Sequence, residues 1–385
     1  MKKKIYIITG SRAEYGLMQI LIKKLNHDKN IDMKIFVTGM HLSTEFGNTY
    51  KEILKDGFKI EKKIKILSSS DTPTAISKST GRGIIRFAKI FEKTKPDFLV
   101  VLGDRYEILS AVIAANFHHI PIVHIGGGDV TLGSFDEWIR HSITKMSWFH
   151  FVSSPSSKKR VIQLGEDPKR VFVTGNLGID RLRKTKLLSK KLIERKMKFK
   201  FKKKNILITY HPVTLEKNTS AVQFRQILLA VSKLKDTKLI FTYPNSDTNG
   251  RVIINMIKKF VFSKKNNSVK FISLGHLNYL SILKYVDCVL GNSSSGILEA
   301  PSLKIPTINI GDRQEGRLKA NSIIDSKPVK NSILQSIKKI YSKSFRYNLK
   351  NTQNPHEYKN SADKIYQIIK KRKAPLELKK SFYNL

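Results

Sequence analysis

Short apolar runs that end in Gly or a polar residue recur through this chain, and they constrain its fold more than any other feature. Six lie in the first half and five in the second: IYIITG, KIFVTG, FLVVLG, PIVHIG, HFVSS and VFVTG, then NILITY, KLIFTY, VKFISL, DCVLGN and PTINIG. Stretches of helical character, such as EILSAVIAANF, separate them. This alternation predicts βαβ units, and therefore parallel sheets whose ligands bind at the carboxyl ends of the strands. We expect the α/β class, with two doubly wound, Rossmann-like domains.

The length of 385 residues fits two domains of roughly 150 residues each. We predict an N-terminal Rossmann-like domain over 1–180 and a C-terminal, nucleotide-binding Rossmann-like domain over 205–360. The stretch between them, 181–204, is rich in Lys, Arg, Leu and Phe and is predicted to be a linker with a helix. The last residues, 361–385, are predicted to contain a helix that packs back on the N-terminal domain.

The charge of the chain is strongly positive, with 72 Lys and Arg against 30 Asp and Glu. Such an excess is typical of nucleic-acid-binding proteins. Here, however, the Lys residues are spread over nearly the whole chain, and the sequence lacks RNA-binding aromatic patterns and Cys/His finger spacings. We therefore predict no nucleic-acid partner, and we expect the positive field to attract a small anionic substrate.

The sequence also favours a cytoplasmic protein without a membrane anchor. No apolar run approaches the roughly 18 residues that a membrane helix needs. The start MKKKIYIITG fits a first buried strand better than a signal peptide, because polar residues follow its short apolar part at once. The single Cys288 can form no internal disulfide, which agrees with a reducing compartment. HExxH, paired CxxC and P-loop motifs are absent, so no metal site is predicted.

Carboxylates concentrate between residues 98 and 141, which is unusual in so basic a chain. Two follow neighbouring strand cores and two open the next predicted helix: Asp104, Asp129, Asp136 and Glu137. Carboxylates that converge in a partly desolvated site can have separated pKa values, which provides one acid and one base. The alternative is a set of structural salt bridges with Arg105 and Arg140, and the pattern alone favours neither role.

Two further strand ends carry candidate site residues. The turn GSRAE after the first strand opens a helix, and the N–H groups at such a helix start suit a phosphate. His211 follows the strand NILITY and precedes a Pro that prevents a helix from continuing. A strand-end histidine suits a general acid or a phosphate contact, although a core or capping role is the more usual one.

The run GNSSSGILEA has the clearest physical logic in the second half. A strand ends in Gly, three serines occupy the turn, and a helix begins near Gly296. The hydroxyls and N–H groups of Ser293, Ser294 and Ser295 favour a diphosphate seat, and Glu299 is placed to accept hydrogen bonds from a ribose diol. Ordinary capping of a helix by one serine is the alternative.

Seven motifs, taken together in this order, resemble the hydrolysing UDP-N-acetylglucosamine 2-epimerases of bacterial sialic acid synthesis: TGSRAEYG, LGDRYE, GGGDVTLGSFDEWIRHSITK, RVIQLGE, YHPVTLE, GNSSSGILEAPS and PTINIGDRQEGR. The resemblance runs from about Lys4 to about Lys371. It implies a GT-B fold, in which the two domains face a cleft, no redox cofactor, and a homodimer or homotetramer. It also implies conversion of UDP-N-acetylglucosamine to N-acetylmannosamine and UDP.

The resemblance assigns roles to the residues already singled out. Arg12 and Arg313 would contact the diphosphate or nearby substrate, with Arg105 and Arg140 as further substrate contacts. The serine turn would hold phosphates, and Glu299 would hold the ribose. The carboxylates would be the acid and base, with His211 close to the leaving diphosphate. The implied reaction removes the C2 proton with loss of UDP, which gives a 2-acetamidoglucal. Water then adds at C1 and a proton at C2 on the opposite face.

One departure from the family bears on the substrate. The commonest family pattern HGGE is replaced here by Gly126-Gly127-Gly128-Asp129. This change lies beside the expected sugar and concerns the substrate more than the reaction class. Two alternatives therefore stay open: the same reaction on UDP-N,N′-diacetylbacillosamine, or its GDP analogue, for legionaminic acid, and, less favoured, a GT-B glycosyltransferase.

Overall fold

The computed structural model describes residues 2–216 and 219–385, which fold as two compact units. Unit 1 comprises Met1–Asp129, Phe135–Arg181 and Tyr358–Leu385. Unit 2 comprises Leu182–Glu357 and the five-residue segment Val130–Ser134.

Unit 1 is built on a seven-stranded parallel sheet with the order β3-β2-β1-β4-β5-β6-β7. Its strands are β1 (Lys3–Thr9), β2 (Ile31–Thr38), β3 (Ile60–Ile64), β4 (Phe98–Leu102), β5 (Ile122–Ile125), β6 (Phe149–Val152) and β7 (Val171–Val173). Its helices are α1 (Arg12–His27), α2 (Tyr50–Lys55), α3 (Pro73–Phe91), α4 (Tyr106–Phe117), α5 (Asp136–Met146), α6 (Pro155–Gln163) and α15 (Ser361–Lys371), while α7 (Leu177–Lys184) crosses the unit boundary.

Unit 2 repeats the arrangement with six parallel strands in the order β10-β9-β8-β11-β12-β13. The strands are β8 (Lys204–Thr209), β9 (Thr237–Thr242), β10 (Ser268–Phe271), β11 (Cys288–Gly291), β12 (Thr307–Ile310) and β13 (Ile323–Ser326). The helices are α8 (Lys190–Met197), α9 (Ser220–Val231), α10 (Gly250–Ser263), α11 (His276–Leu283), α12 (Ser294–Leu298), α13 (Lys330–Ile340) and α14 (Lys343–Leu349). The predicted α/β class with two Rossmann-like domains is confirmed.

The strand order reverses once in each sheet, between β1 and β4 in unit 1 and between β8 and β11 in unit 2. Loops after the two strands at such a switch point diverge to opposite faces, which leaves a crevice where ligands bind in open α/β sheets. The loops after these four strands therefore locate a candidate site in each unit.

The chain end contributes to the core of unit 1. Ala362, Ile365 and Ile369 of α15 are buried with the apolar side chains of α1 and β1. Lys3 Nζ donates to three carbonyl oxygens at the end of α15, at 2.7–2.9 Å. The Tyr366 hydroxyl donates to Asp28 just after α1 at 2.7 Å, so α15 is held by polar and apolar contacts.

Of the predicted linker, 181–204, all residues from Leu182 onward belong to unit 2. Ile193, Phe199 and Phe201 are buried in its core, because the apolar residues of this basic stretch fall on one side of α8 and of the turn after it. Two strands also escaped sequence analysis, β3 and β13. The first reads IEKKI and is the charged edge of its sheet, so it lacks the apolar run by which the others were recognised.

No helix in the described part of the chain is long and apolar enough to cross a membrane.

Candidate functional site

The turn after β1 is organised by a buried carboxylate. Ser11 caps α1 by accepting from the backbone N–H of Glu14. The Glu14 carboxylate reaches back, accepting from Gly10 N at 2.7 Å and from the Ser11 hydroxyl at 3.1 Å. These capping contacts fix the turn and set Arg12, which is partly exposed, at the first residue of the helix.

Arg105 lies in a buried ion-pair cluster with Glu107 and Glu14. Its Nε and Nη2 atoms each lie 3.2 Å from an oxygen of Glu107, and its Nε lies 3.9 Å from Glu14. Burial, and secondly the charge of Glu107, raise the pKa of Glu14 to about 8. Since the Arg105 side chain is only 7% exposed, this geometry favours the structural salt bridge over the predicted substrate contact.

Arg140 joins three of the predicted site residues in unit 1. It is the largest fully buried side chain and lies one turn into α5. Its guanidinium donates to Oδ2 of Asp104, to the backbone oxygen of Asp129 at 3.0 Å and to the Glu137 carboxylate at 2.8 Å. Burial alone would lower the pKa of Arg140, but the carboxylates of Asp104, Asp129 and Glu137 outweigh it and raise that pKa. Because the guanidinium is enclosed by these partners, its position suits a hub that orients carboxylates.

Asp104 has the geometry of a proton carrier. It follows β4, its side chain is 24% exposed, and Arg140 Nε donates to its Oδ2 at 3.0 Å. Both contacts with Arg140 use this one oxygen, and no described residue donates a hydrogen bond to Oδ1. Arg140 therefore holds the group through one oxygen and leaves the other out of that contact, which suits proton transfer.

Asp129 is held by two hydroxyls that sequence analysis did not single out. Ser153 and Ser157 donate to its Oδ1 at 2.6 and 2.8 Å. Gly128, with φ of +74°, lies against the Ser157 carbonyl so closely that a side chain would collide with it. The only sequence signal is the hydroxyl-rich turn SSPSS after β6.

Asp136 and Glu137 share the first turn of α5, where negative charge is favourable. Asp136 is 9% exposed. Glu137 has both oxygens occupied, one by Arg140 at 2.8 Å and the other by His141 Nε2 at 3.0 Å. These contacts favour an orienting role for Glu137 over the predicted acid or base.

In unit 2, Asn292 fixes the loop after β8 to the loop after β11. Its Oδ1 accepts from His211 N at 2.7 Å and its Nδ2 donates to His211 O at 2.8 Å. Its own backbone oxygen accepts from Arg313 at 3.2 Å and from Gln314 at 2.9 Å. Gly291 is required just before it, because a side chain there would overlap the carbonyl of Thr209. Sequence analysis missed Asn292.

The imidazole of His211 is oriented by its neighbours. Its Nδ1 accepts from the backbone N–H of Asn245 at 3.4 Å. A neutral imidazole that accepts at Nδ1 carries its proton on Nε2.

The serine turn is partly exposed and short. Ser293 caps the five-residue helix α12 by accepting from Ser295 N, and Ser293, Ser294 and Ser295 are each partly exposed. Gly296, by contrast, is buried against Thr307, whose side chain donates to its carbonyl at 2.7 Å. Close packing, rather than ligand contact, explains this predicted site glycine.

Glu299 is a buried carboxylate with an unmatched oxygen. Its Oε2 has no hydrogen-bond partner among the described residues, and burial raises its pKa to about 7. A buried acceptor without a donor suits a ligand hydroxyl.

The segment Val130–Ser134 lies within the range predicted for the N-terminal domain, 1–180. It instead packs within unit 2, where Arg317 Nε donates to the backbone oxygen of Val130 at 3.3 Å and Leu132 N donates to Glu315 O at 3.4 Å. Gly133 lies against the backbone of Arg313, with no room for a side chain. Asp129 and Asp136 belong to unit 1, and the segment between them that belongs to unit 2 is Val130–Ser134.

In residues 2–216 and 219–385, no group of three or more His, Cys, Asp or Glu side chains is placed to hold a metal ion.

Solved structures define the class of protein first. The crystal structure of UDP-GlcNAc 2-epimerase from Neisseria meningitidis bound to UDP-GlcNAc has a TM-score of 0.80, with 21% identity over 96% of this chain and 100% of that one. Likeness at this identity shows the fold. The protein is thus an α/β protein of two Rossmann-like domains, the architecture of solved nucleotide-sugar 2-epimerases.

Sequence comparison then gives the family. Residues 23–370 match the profile described as UDP-N-acetylglucosamine 2-epimerase. A GDP/UDP-N,N′-diacetylbacillosamine 2-epimerase (hydrolyzing) of Campylobacter jejuni is 44% identical over 347 residues, 90% of each chain. A polysialic acid biosynthesis protein of Escherichia coli is 40% identical, over 96% of this chain and 94% of its own. A UDP-N,N′-diacetylbacillosamine 2-epimerase (hydrolyzing) of Legionella pneumophila is 34% identical over 96% of both. The chain belongs to the UDP-N-acetylglucosamine 2-epimerase family of enzymes.

Proposed function

We propose that this enzyme is a hydrolysing 2-epimerase whose substrate is N,N′-diacetylbacillosamine linked to UDP or GDP. The observation that carries the proposal is the identity of 44% and 34% to two relatives that bear this activity in their names, each matched over at least 90% of its length. The sequence-based alternative is therefore better supported than the first reading, UDP-N-acetylglucosamine.

The proposed reaction begins with removal of the C2 proton by a carboxylate and departure of the nucleoside diphosphate from C1, which leaves a C1–C2 double bond. Water then adds at C1, and a second carboxylate returns a proton to C2 from the opposite face. Asp104, Asp129 and Asp136 are the proposed proton carriers, and the open Oδ1 of Asp104 makes it the strongest candidate. General acid–base groups of this kind contribute roughly 10²–10⁴-fold in rate.

The proposed nucleotide contacts lie mainly in unit 2. Ser293, Ser294 and Ser295 would bind phosphate oxygens, and Nε2–H of His211 would donate to the departing diphosphate. Glu299 would accept from the ribose diol through its unmatched oxygen. Arg313 and, from unit 1, Arg12 would add positive charge. Arg105, Arg140 and Glu137 would orient other groups.

UDP-N-acetylglucosamine, with N-acetylmannosamine as product, is the second candidate substrate. It is supported by the UDP-N-acetylglucosamine 2-epimerase of Neisseria meningitidis, which is 27% identical over 95% of both chains. The homodimer or homotetramer, the cytoplasmic location and the role in sialic acid synthesis stay predictions.

The deciding experiment incubates the purified enzyme in D₂O with each candidate nucleotide sugar, UDP- and GDP-linked. We expect release of the nucleoside diphosphate without any acceptor, one deuterium at C2 of the free sugar, and a higher kcat/KM for the 4-acetamido-6-deoxy sugar. A higher kcat/KM for UDP-N-acetylglucosamine would favour the second candidate. Release of UDP only when a sugar acceptor is added would instead indicate a glycosyltransferase.

A further inference from the structure

His124 of β5 is a fully buried imidazole that touches the segments bearing the proposed proton carriers. Its Nε2 lies 2.9 Å from the backbone oxygen of Gly103, the residue before Asp104. Its Nδ1 lies 3.2 Å from the Thr144 hydroxyl, one helical turn after Arg140 on α5.

These partners fix the state of the ring. The Gly103 carbonyl can only accept, so Nε2 carries the proton and donates to it. Nδ1 then accepts from the Thr144 hydroxyl. Burial lowers the pKa of His124 to about 3, so the ring stays neutral throughout the neutral range.

The glycine loop that leads to Asp129 packs on the same ring. A Cβ on Gly127 would lie 3.1 Å from His124 Nδ1 and 2.8 Å from the Thr144 hydroxyl, closer than side chains normally approach. The imidazole thus contacts the end of β4, the glycine loop and α5, which carry Asp104, Asp129 and Asp136 respectively.

We infer that His124 is a positioning residue for the proposed reaction, a spacer that sets how far the end of β4 lies from α5 and the glycine loop. This inference rests on the proposed function, because it concerns the carboxylates assigned there. Proton transfer depends on sub-ångström placement, and a displacement of about 1 Å can cost 10²-fold in rate. The competing explanation is a buried histidine that only stabilises unit 1.

The chain offers a matched control in His41, which is also fully buried in unit 1. Its Nε2 and Nδ1 lie 3.1 and 2.9 Å from the hydroxyls of Thr9 and Thr49, and burial lowers its pKa to about 3. It has the same burial and hydrogen bonds at both ring nitrogens, but its partners are two hydroxyls, and it is not among the atoms nearest to Gly126, Gly127 or Gly128.

The test compares His124→Gln and His124→Asn with the same pair at His41. The amide nitrogen of Gln reaches the position of Nε2, whereas that of Asn reaches only Nδ1. We expect His124→Asn to lower kcat by about 10²-fold with KM and UDP affinity nearly unchanged, and His124→Gln to stay within about tenfold of the wild type. Both His41 variants should keep kcat within about threefold, even with a similar loss of thermal stability.

Equal loss of kcat in His124→Gln and His124→Asn, or unchanged kcat in both, would overturn the inference. If His124→Asn does not fold, the test is made with Thr144→Ser and Thr144→Val. Ser keeps the hydroxyl that donates to His124 Nδ1, whereas Val removes it. Equal kcat in these two variants would also overturn the inference. A wild-type enzyme that turns over none of the candidate sugars marks failure of the proposed function. If the wild-type enzyme is active but His124→Gln and His124→Asn have the same kcat, this inference alone fails.

Discussion

One buried residue organises the strand ends of each unit, and the two residues differ in chemistry. In unit 1 the guanidinium of Arg140 binds the carboxylates of Asp104 and Glu137 and a backbone oxygen. In unit 2 the amide of Asn292 binds both backbone groups of His211, while its own backbone oxygen accepts from Arg313 and Gln314.

The difference indicates which chemistry the strand ends of each unit are suited to. The contacts of Arg140 need ionised carboxylates, so the arrangement in unit 1 responds to proton occupancy. The contacts of Asn292 involve amide and peptide groups and the guanidinium of Arg313, none of which titrates in the neutral range. The strand ends of unit 1 therefore suit proton transfer. Those of unit 2 suit a diphosphate-binding site whose hydrogen bonds do not change with pH.

The largest expected effect separates chemistry from binding. Asp104→Asn keeps the size of the side chain but removes the proton carrier, so we expect kcat to fall by roughly 10²–10⁴-fold while UDP affinity stays within about twofold. Steady-state kinetics and calorimetric titration with UDP measure the two quantities. Glu61→Gln is the control, because Glu61 lies on edge strand β3 in a surface ion pair with Lys34 at 2.9 Å. Retained turnover in Asp104→Asn would remove Asp104 from the mechanism.

The next prediction compares how the loss of Arg140 and the loss of Asn292 change the free energy of unfolding. Arg140→Met leaves the partly buried carboxylates of Asp104 and Glu137 without their cation, which costs up to the roughly 3–5 kcal/mol of a fully buried pair at neutral pH. Asn292→Ala leaves backbone groups unmatched, which costs about 1–3 kcal/mol. The loss in Arg140→Met should shrink as pH falls towards about 4, where carboxylates become protonated, whereas the loss in Asn292→Ala should stay constant. Denaturant unfolding at several pH values measures both losses of stability. If the two losses change with pH in the same way, the proposed difference between Arg140 and Asn292 is wrong.

A smaller effect concerns Glu299 in unit 2, whose carboxyl group titrates, unlike the contacts of Asn292. Burial raises its pKa to about 7, and the ionised form is the better acceptor for a ribose diol. Binding must therefore displace a proton below pH 7, so UDP affinity should rise by up to about tenfold between pH 6 and pH 8. Glu299→Gln should bind UDP with little pH dependence over this range. A wild-type affinity that is flat or falls would argue against a ribose contact by the ionised carboxylate.

The smallest effect concerns the sugar. Gly126 has φ of +89° and open space where a Cβ would be, with only Gly103 N at 4.0 Å. Gly57, an exposed glycine before β3, has φ of +84° and no atom within 4 Å, so Asn strains both backbones alike. Gly126→Asn should lower kcat/KM for the 4-acetamido sugar by up to about tenfold more than for UDP-N-acetylglucosamine. Gly57→Asn should leave the ratio of the two kcat/KM values unchanged, and an unchanged ratio in both variants would exclude Gly126 from substrate choice.

Sequence reasoning located the strand ends because apolar runs that end in Gly are local signals, and Gly10, Gly103 and Gly291 follow from them. It predicted that Asp136 and Glu137 open a helix, yet the Asp104 partner of Arg140 lies 36 residues away in the chain. Asn292 and His211 are 81 residues apart. Pairings of this kind leave no local pattern, which is why Asn292, Ser153 and Ser157 were missed. The charged edge strand β3 was missed because its stability comes from its neighbour β2 and not from an apolar run of its own.

The position of α15 has a consequence for biosynthesis. Its residues Ala362, Ile365 and Ile369 cover an apolar face of α1, and Lys3 bonds to its last turn. A ribosome reaches this helix only after it has made the whole of Leu182–Glu357. The apolar face of α1 is therefore uncovered while the second half of the chain is translated. Until α15 has been made, this exposed apolar surface is of the kind that chaperones bind.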